Sequence, residues 1–310
     1  MKYQRLGSSD LKVSEIGLGC AMTHLPNDTG VDEKKIIATV HKALDLGISF
    51  FDTSDICQTG LTEPILAQAL GKQRKNLTLG TKVGLRYLNK KFTIDLSKKY
   101  IKTAVEVSLK RLKTDMIDLY QVHWPDMNNS LAGTFEALNE CREEGKIRYF
   151  GVSNFDLNQL ESGRKYSLIA SHQIPLNLFK REYEIKLLPY CFKENIAVIA
   201  YNPLAQNSLK SRSDEQEPFA TEFEGNISMF NGDALNRNRA VIESLRKFAA
   251  IRNKKIDELA MAWVLAHTAV TTTISEATSP EEISLHEKAT EWILDQEELA
   301  KIELLMNVAG

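Results

Sequence analysis

Ile48-Ser49-Phe50-Phe51-Asp52-Thr53-Ser54-Asp55-Ile56-Cys57 begins as a short apolar run and turns polar at Asp52, Thr53 and Ser54. A brief apolar run between turn signals has the length and residue types of a buried strand. Asp52 then stands where that strand leaves the core. A carboxylate at such a place requires a cation or hydrogen-bond donors, because burying it alone is costly. Asp-Thr-Ser-Asp is also turn-like, so a helix cap or turn residue is the competing reading of Asp52.

The sequence on either side repeats the same alternation. Upstream, Tyr3 to Leu6 and Leu11 to Val13 flank the turn signal Gly7-Ser8-Ser9-Asp10 and predict a hairpin. Ile16 to Cys20 reads as a strand, followed by a loop holding Pro26 to Gly30. Asp32 to Leu46 is a helix, with Ile36, Ile37, Val40, Ala43 and Leu44 at helical spacing, and Gly47 ends it. Downstream, strands are expected at Leu77–Val83, Met116–Val122, Ile147–Val152, Ser171–Ile174, Ile196–Tyr201 and Thr271–Ile274. Between and after them, helices are expected at Glu63–Leu70, Ser97–Leu112, Leu131–Arg142, Asp156 to about Arg164, Glu184–Lys193, Ala240–Arg252, Ile256–Ala266 and Pro280–Lys288. A terminal helix covers Asp295 to Leu305, and Ala205 to Asn236 is a long polar loop.

Eight strand–helix units predict an α/β fold of the (β/α)8 TIM-barrel type, with an N-terminal β-hairpin and extra C-terminal helices, in one domain over residues 1–310. A doubly wound sheet lacks support: no G-x-G-x-x-G follows the first strand, and Gly17-Leu18-Gly19 is too short to count. There is no P-loop, no H-E-x-x-H and no G-x-S-x-G.

In such a barrel, chemistry collects where strands end. Strand two ends at Asp52, strand three at Lys82 and strand four at His123. The later ends carry Ser153-Asn154, His172-Gln173 and Tyr201-Asn202. Asp52 and Lys82 answer each other's need for a counter-charge on adjacent strands. His123, one strand on, can donate a hydrogen bond to a substrate oxygen. A purely structural ion pair beside a core histidine is the bland alternative.

The chain has 310 residues, 43% hydrophobic and 26% charged, with formal net charge −2. That is ordinary globular composition and gives no reason to expect nucleic acid or an anionic membrane as partner. The N-terminus has no apolar signal core and no run spans a bilayer, so a cytoplasmic protein is expected. Cys20, Cys57, Cys141 and Cys191 form neither a CxxC pair nor a zinc spacing, and no metal site is expected.

Several stretches together resemble the aldo-keto reductases, over nearly the whole chain. Arg5 to Ser14 resembles that family's opening hairpin, Phe51-Asp52-Thr53-Ser54-Asp55 its second strand, and Thr81-Lys82-Val83-Gly84 its third. Asp118 to Trp124 is similar to its fourth strand. Gly145-Lys146-Ile147-Arg148-Tyr149-Phe150-Gly151-Val152-Ser153-Asn154-Phe155 is the most specific match, and Phe230 to Asn238 resembles a late loop of one branch. The resemblance implies hydride transfer between a nicotinamide cofactor and a carbonyl or alcohol substrate. It implies a catalytic group of Asp, Tyr, Lys and His, of which Asp52, Lys82 and His123 carry over. The tyrosine does not: its position is Cys57, and the glycine after it is Gln58.

A thiol can be acidic enough to give a proton, the more so near a lysine, but it is much shorter than a phenol. A water, a bulkier substrate or His123 can fill the role, or Cys57 can be a nucleophile, a redox thiol or filler. The resemblance further implies that Ser153, Asn154 and Gln173 hold the nicotinamide carboxamide and that Tyr201 stacks on its ring. Asn202-Pro203-Leu204 resembles the Ser-Pro-Leu strap of the pyrophosphate. The family's Ile-Pro-Gly-Ala-Arg-Ser reads Ile274-Ser275-Glu276-Ala277-Thr278-Ser279 here, followed by Glu282 and His286. With Thr278 in place of the arginine, the clamp on the 2′-phosphate is degraded, and NADP(H) and NAD(H) both stay open as cofactor. An oxidoreductase with an altered proton donor is the leading expectation. A non-redox eliminase or isomerase on the same scaffold, or a binding homologue without turnover, are the alternatives. The substrate is a small molecule, set by loops 21–30, 84–95 and 205–236, which carry no legible pocket signature.

Overall fold

The computed structural model describes residues 1–19, 32–56, 60–88, 91–126, 130–211 and 232–307. Cys20, Cys57, Gln58, the Pro26–Gly30 loop, Phe230 and Asn231 lie outside these residues. The chain opens with the expected hairpin, β1 (Tyr3–Arg5) against β2 (Lys12–Ser14). There follow β3 (Ile16–Gly19), α1 (Glu33–Asp45), β4 (Phe50–Asp52), α2 (Thr62–Leu70) and β5 (Thr78–Val83). A second hairpin, β6 (Leu85–Leu88) with β7 (Lys91–Ile94), interrupts the alternation before α3 (Lys98–Leu112). Then come β8 (Ile117–Val122), α4 (Leu131–Glu143), β9 (Ile147–Ser153), α5 (Leu157–Arg164), β10 (Ser171–Pro175), α6 (Leu187–Lys193) and β11 (Ala197–Tyr201). Next are α7 (Gly232–Ala250), α8 (Ile256–Leu265), β12 (Val270–Ser275), α9 (Pro280–Glu287) and α10 (Gln296–Asn307).

The strands β3, β4, β5, β8, β9, β10, β11 and β12 pair in parallel in that order, and β12 pairs back onto β3 to close the barrel. This is the (β/α)8 architecture expected from the alternation. Caps fix where the helices begin. The Asp32 side chain accepts from Lys35 N, Ser97 from Tyr100 N and Ser130 from Gly133 N, while Asp156 and Gln159 form a capping box. Alternate strand residues divide two cores. Phe51 packs outward beneath the helices, whereas Phe50, Leu119, Ile199 and Ile274 meet inside the barrel with Leu6, Leu11 and Val13 of the N-terminal hairpin. The hairpin therefore plugs the amino ends of the strands and leaves the carboxyl ends for chemistry.

Three boundaries differ from expectation. The segment 84–95 contains the β6–β7 hairpin, pinned by Arg86, which pairs with Asp95 at 2.8 Å and lies 4.8 Å from the Tyr100 ring centroid. Helix α6 starts at Leu187, because Glu184 is tied back to Arg181 at 2.6 Å in the preceding turn. Helix α7 starts at Gly232, inside the stretch expected as loop. Its first turns are polar, and apolar periodicity does not register such turns. Among the described residues no helix is long and apolar enough to cross a membrane.

Candidate active site

Four strand ends meet on one carboxylate. Asp52 ends β4, and its Oδ2 is ion-paired with Lys82 Nζ from β5. Oδ2 also accepts from Gln173 Nε2 of β10 at 2.9 Å, and Oδ1 accepts from Gln121 Nε2 of β8 at 3.2 Å. Lys82 donates a second bond to Thr53 O at 3.0 Å, so the ammonium is held from two sides. Asp52 is 4% exposed and Lys82 5%. At that burial each charge needs the other, and the surrounding donors complete the carboxylate's coordination. The layer below explains Gly80 on β5, opposite Asp52 in register. A Cβ there would lie 2.9 Å from Asp52 Oδ1 and 3.3 Å from the Phe50 ring.

Gln121 and Ser171 were not singled out by the sequence. Ser171 Oγ donates to Gln121 Oε1 at 3.3 Å, and both residues face the barrel interior beneath the site. The available signal was strand alternation: Gln121 sits two residues before His123, and Ser171 two before Gln173. The same alternation turns His172 away. It is fully buried on the outer face of β10, and burial pushes its ring down to about 3. The expected convergence of His172 on the mouth is therefore corrected, and Gln173 alone faces the site from that strand end.

His123 follows β8, its backbone N–H bonded to Val83 O at 2.9 Å. Burial first, and then the Lys82 charge, hold its imidazole well below its ordinary value, so it is neutral at pH 7. Ser54 Oγ lies 3.4 Å from His123 Nδ1 and accepts from Ile56 N at 3.2 Å. The neutral ring carries one N–H donor and one acceptor nitrogen. His123 is thus a hydrogen-bond donor and a poor proton source, because giving up a proton from the neutral ring would leave an imidazolate.

The side chains expected to hold a nicotinamide form a linked set. Asn154 adopts φ 62°, and its Nδ2 donates to His123 O at 3.0 Å and Ser153 Oγ at 3.1 Å. Its Oδ1 accepts from Tyr201 OH at 2.8 Å, which tethers the aromatic ring by its rim. Ser153 keeps its own O–H to give. Gln173, with Nε2 turned to Asp52, keeps Oε1 to accept. One donor and one acceptor beside an aromatic ring match a planar carboxamide-bearing heterocycle, so the residues present fit a nicotinamide.

Beyond Tyr201, Asn202 takes φ 54° and its Oδ1 accepts from Gln206 N at 2.6 Å, closing a tight turn. Leu204 is buried in the main core. On the neighbouring strand end, Ser279 caps α9 by accepting from Glu282 N at 3.2 Å. Glu282 Oε2 accepts from Thr278 N at 2.8 Å and Thr278 Oγ1 at 3.0 Å. His286 is buried, with Nδ1 2.7 Å from Ser275 Oγ, and burial pushes it down to about 4. A contact that the sequence did not suggest reaches this end: Lys210 Nζ lies 3.3 Å from Glu282 Oε1.

Asp55 and Glu63 form a pair of neighbouring carboxylates near Lys82. Glu63 of α2 is fully buried, accepting from Thr81 Oγ1 at 2.9 Å and facing Arg111 at 3.4 Å. Burial, and then the Glu63 charge, push the nearby Asp55 carboxyl up to about 8.

A closed parallel barrel with an ion pair, a neutral imidazole and an amide-lined shelf at its carboxyl mouth defines a (β/α)8 enzyme scaffold. The model described as Aldo/keto reductase family matches residues 15–307. The chain is 32% identical over 310 residues to Aldo-keto reductase YhdN of Bacillus subtilis, covering 99% of this chain and 94% of that one. It is 33% identical over 285 residues to the uncharacterized oxidoreductase YqkF of the same organism, covering 91% and 89%. The glycerol dehydrogenase AKR11B4 of Gluconobacter oxydans superposes with TM-score 0.90 at 30% identity, over 99% of this chain and 96% of that chain. The holo form of aldo-keto reductase AKR11C1 of Bacillus halodurans gives 0.84 at 33% identity, over 98% and 96%. The chain belongs to the aldo/keto reductase family, and its relatives make it an oxidoreductase.

Proposed function

We propose that the protein transfers hydride between a nicotinamide cofactor and a carbonyl or alcohol substrate, with a proton donor unlike the family's usual phenol. The observation that carries this reading is the meeting of four strand ends on Asp52, with Lys82 and His123 beside the Ser153–Asn154–Gln173–Tyr201 shelf. A protein without a nicotinamide has no need of that shelf. One solved relative is named a glycerol dehydrogenase, which supports an alcohol–carbonyl couple.

A reduced nicotinamide, when bound, supplies the hydride. Ser153 and Gln173 would hold its carboxamide and Tyr201 would stack on its ring. The His123 ring N–H donates to the substrate oxygen and orients it. The Lys82 ammonium stabilises negative charge developing on that oxygen, in a site from which burial excludes most water. The proton source in this reading is the Cys57 thiol, at the position of the family's phenol, directly or through one water, since the neutral His123 ring is a poor acid.

The test is Cys57→Tyr. With the thiol as the working donor, Cys57→Tyr and alkylation of Cys57 are each expected to destroy the native turnover, whereas a gain of about tenfold or more in reduction of an activated aldehyde, ~1.4 kcal/mol in the barrier, would mark a missing acid at this position. In the parent protein, iodoacetamide at pH 7.5 is expected to label Cys57 faster than Cys141 or Cys191. Those two are buried, and burial pushes the Cys191 thiol up to about 12. Slow, equal labelling of all four thiols, together with neither loss nor gain of turnover in Cys57→Tyr, would remove any catalytic role for Cys57.

A further inference from the structure

We propose that Glu282 and Lys210 together read the adenosine ribose of the cofactor and select the unphosphorylated ribose of NAD(H) over that of NADP(H). The inference rests on the nicotinamide-dependent reading above. It names two residues as specificity determinants, one of them on a segment with no motif.

Lys210 lies in the segment after β11, and Glu282 in the first turn of α9. Their side chains pair at 3.3 Å and are 19% and 30% exposed. Lys210 is held in place through its backbone, since Arg246 Nη2 donates to Lys210 O at 2.9 Å. The next residue, Ser211, is hydrogen-bonded to Asp257. Thr278, at the position of the family's arginine, spends its amide and hydroxyl on Glu282 Oε2.

Each carboxylate oxygen offers about two acceptor directions. Glu282 Oε2 uses two on Thr278, and Oε1 uses one on Lys210, so one direction on Oε1 remains. A ribose hydroxyl is a donor that fits it. A 2′-phosphate brings about 1.5 to 2 negative charges and no comparable donor. Lys210 already neutralises Glu282, so the pair has no net positive charge to meet that phosphate. Burial alone would raise the Glu282 carboxyl, but the Thr278 amide and Lys210 outweigh it and hold it below its ordinary value, so the acceptor is ionised. An acidic side chain on a ribose hydroxyl is the general way that nucleotide sites favour NAD over NADP.

The experiment is equilibrium titration with NADH, NADPH, NAD⁺ and NADP⁺, followed by intrinsic fluorescence, on the parent protein, Glu282→Gln and Lys210→Met. The parent is expected to bind NADH at least tenfold more tightly than NADPH. Glu282→Gln is expected to weaken NADH and strengthen NADPH, narrowing the ratio at least fivefold. Lys210→Met exposes the Glu282 charge and is expected to weaken NADPH at least threefold more than NADH. Equal affinities, or an NADPH preference that Lys210→Met abolishes, would overturn the proposal and make Lys210 a phosphate ligand. An NADPH preference overturns this inference alone, whereas failure of all four nucleotides to bind at millimolar levels overturns the nicotinamide reading with it.

Discussion

Lys82→Met is expected to lower kcat/KM by about 10²- to 10³-fold, the usual loss when one preorganised charge is taken from a desolvated site. The ammonium is fixed by Asp52 Oδ2 and by Thr53 O at 3.0 Å, so it needs no reorganisation as charge develops on the substrate oxygen. Methionine keeps the length of the side chain and removes the charge. The variant also leaves Asp52 ionised and buried with only Gln121 and Gln173 as donors, which costs about 3–5 kcal/mol of stability. Asp52→Asn/Lys82→Met separates the two effects. With both charges gone, the urea midpoint is expected to recover toward the parent value while turnover stays lost. A folded Lys82→Met that keeps more than a tenth of parental activity would remove Lys82 from the chemistry and leave the pair a structural one.

Asp55→Asn is expected to change the pH dependence of stability strongly. Among the described residues Asp55 Oδ1 is buried with no hydrogen-bond partner, and Glu63 stands nearby as a second carboxylate. Burial and that neighbour push Asp55 up to about 8 from the ordinary 3.8. The unfolded chain therefore loses this proton near pH 4 while the folded chain keeps it until about pH 8. Over that window the folded state binds more protons, and stability falls as pH rises, by up to about 1.4 kcal/mol per unit. Below pH 4 the contribution is fully present, and above pH 8 it is gone. Asparagine does not titrate. The urea midpoints of parent and variant are expected to diverge steadily between pH 4.5 and 7.5, with the variant relatively stronger at the higher pH. Parallel curves would show that Asp55 titrates near its ordinary value in the folded protein.

The alternation of strands and helices, the N-terminal hairpin and the identity of the strand-end residues were all legible in the sequence. Each is a local signal: apolar period, turn chemistry and caps report where an element ends and which face is buried. The Asp52–Lys82 pair followed from those signals, because two charges ending neighbouring apolar strands have few other ways to be satisfied. The rest was decided by closure of the barrel. Gln173 reaches Asp52 across 121 positions of sequence, and Lys210 reaches Glu282 across 72. Nothing local to either residue names its partner, because which side chains share a layer depends on the stagger of all eight strands. Ser54 meets His123 Nδ1 only once the β4 and β8 ends are adjacent in space. The β6–β7 hairpin escaped detection for a related reason. Its Tyr87–Phe92 ring pair, 4.9 Å between centroids, and the packing of Arg86 over Tyr100 on α3 form only once the two short strands and the helix lie side by side. Local sequence thus supplied the elements and the charged groups at their ends. The tertiary structure alone supplied the hydrogen-bond partners that hold those groups in one protonation state and one orientation.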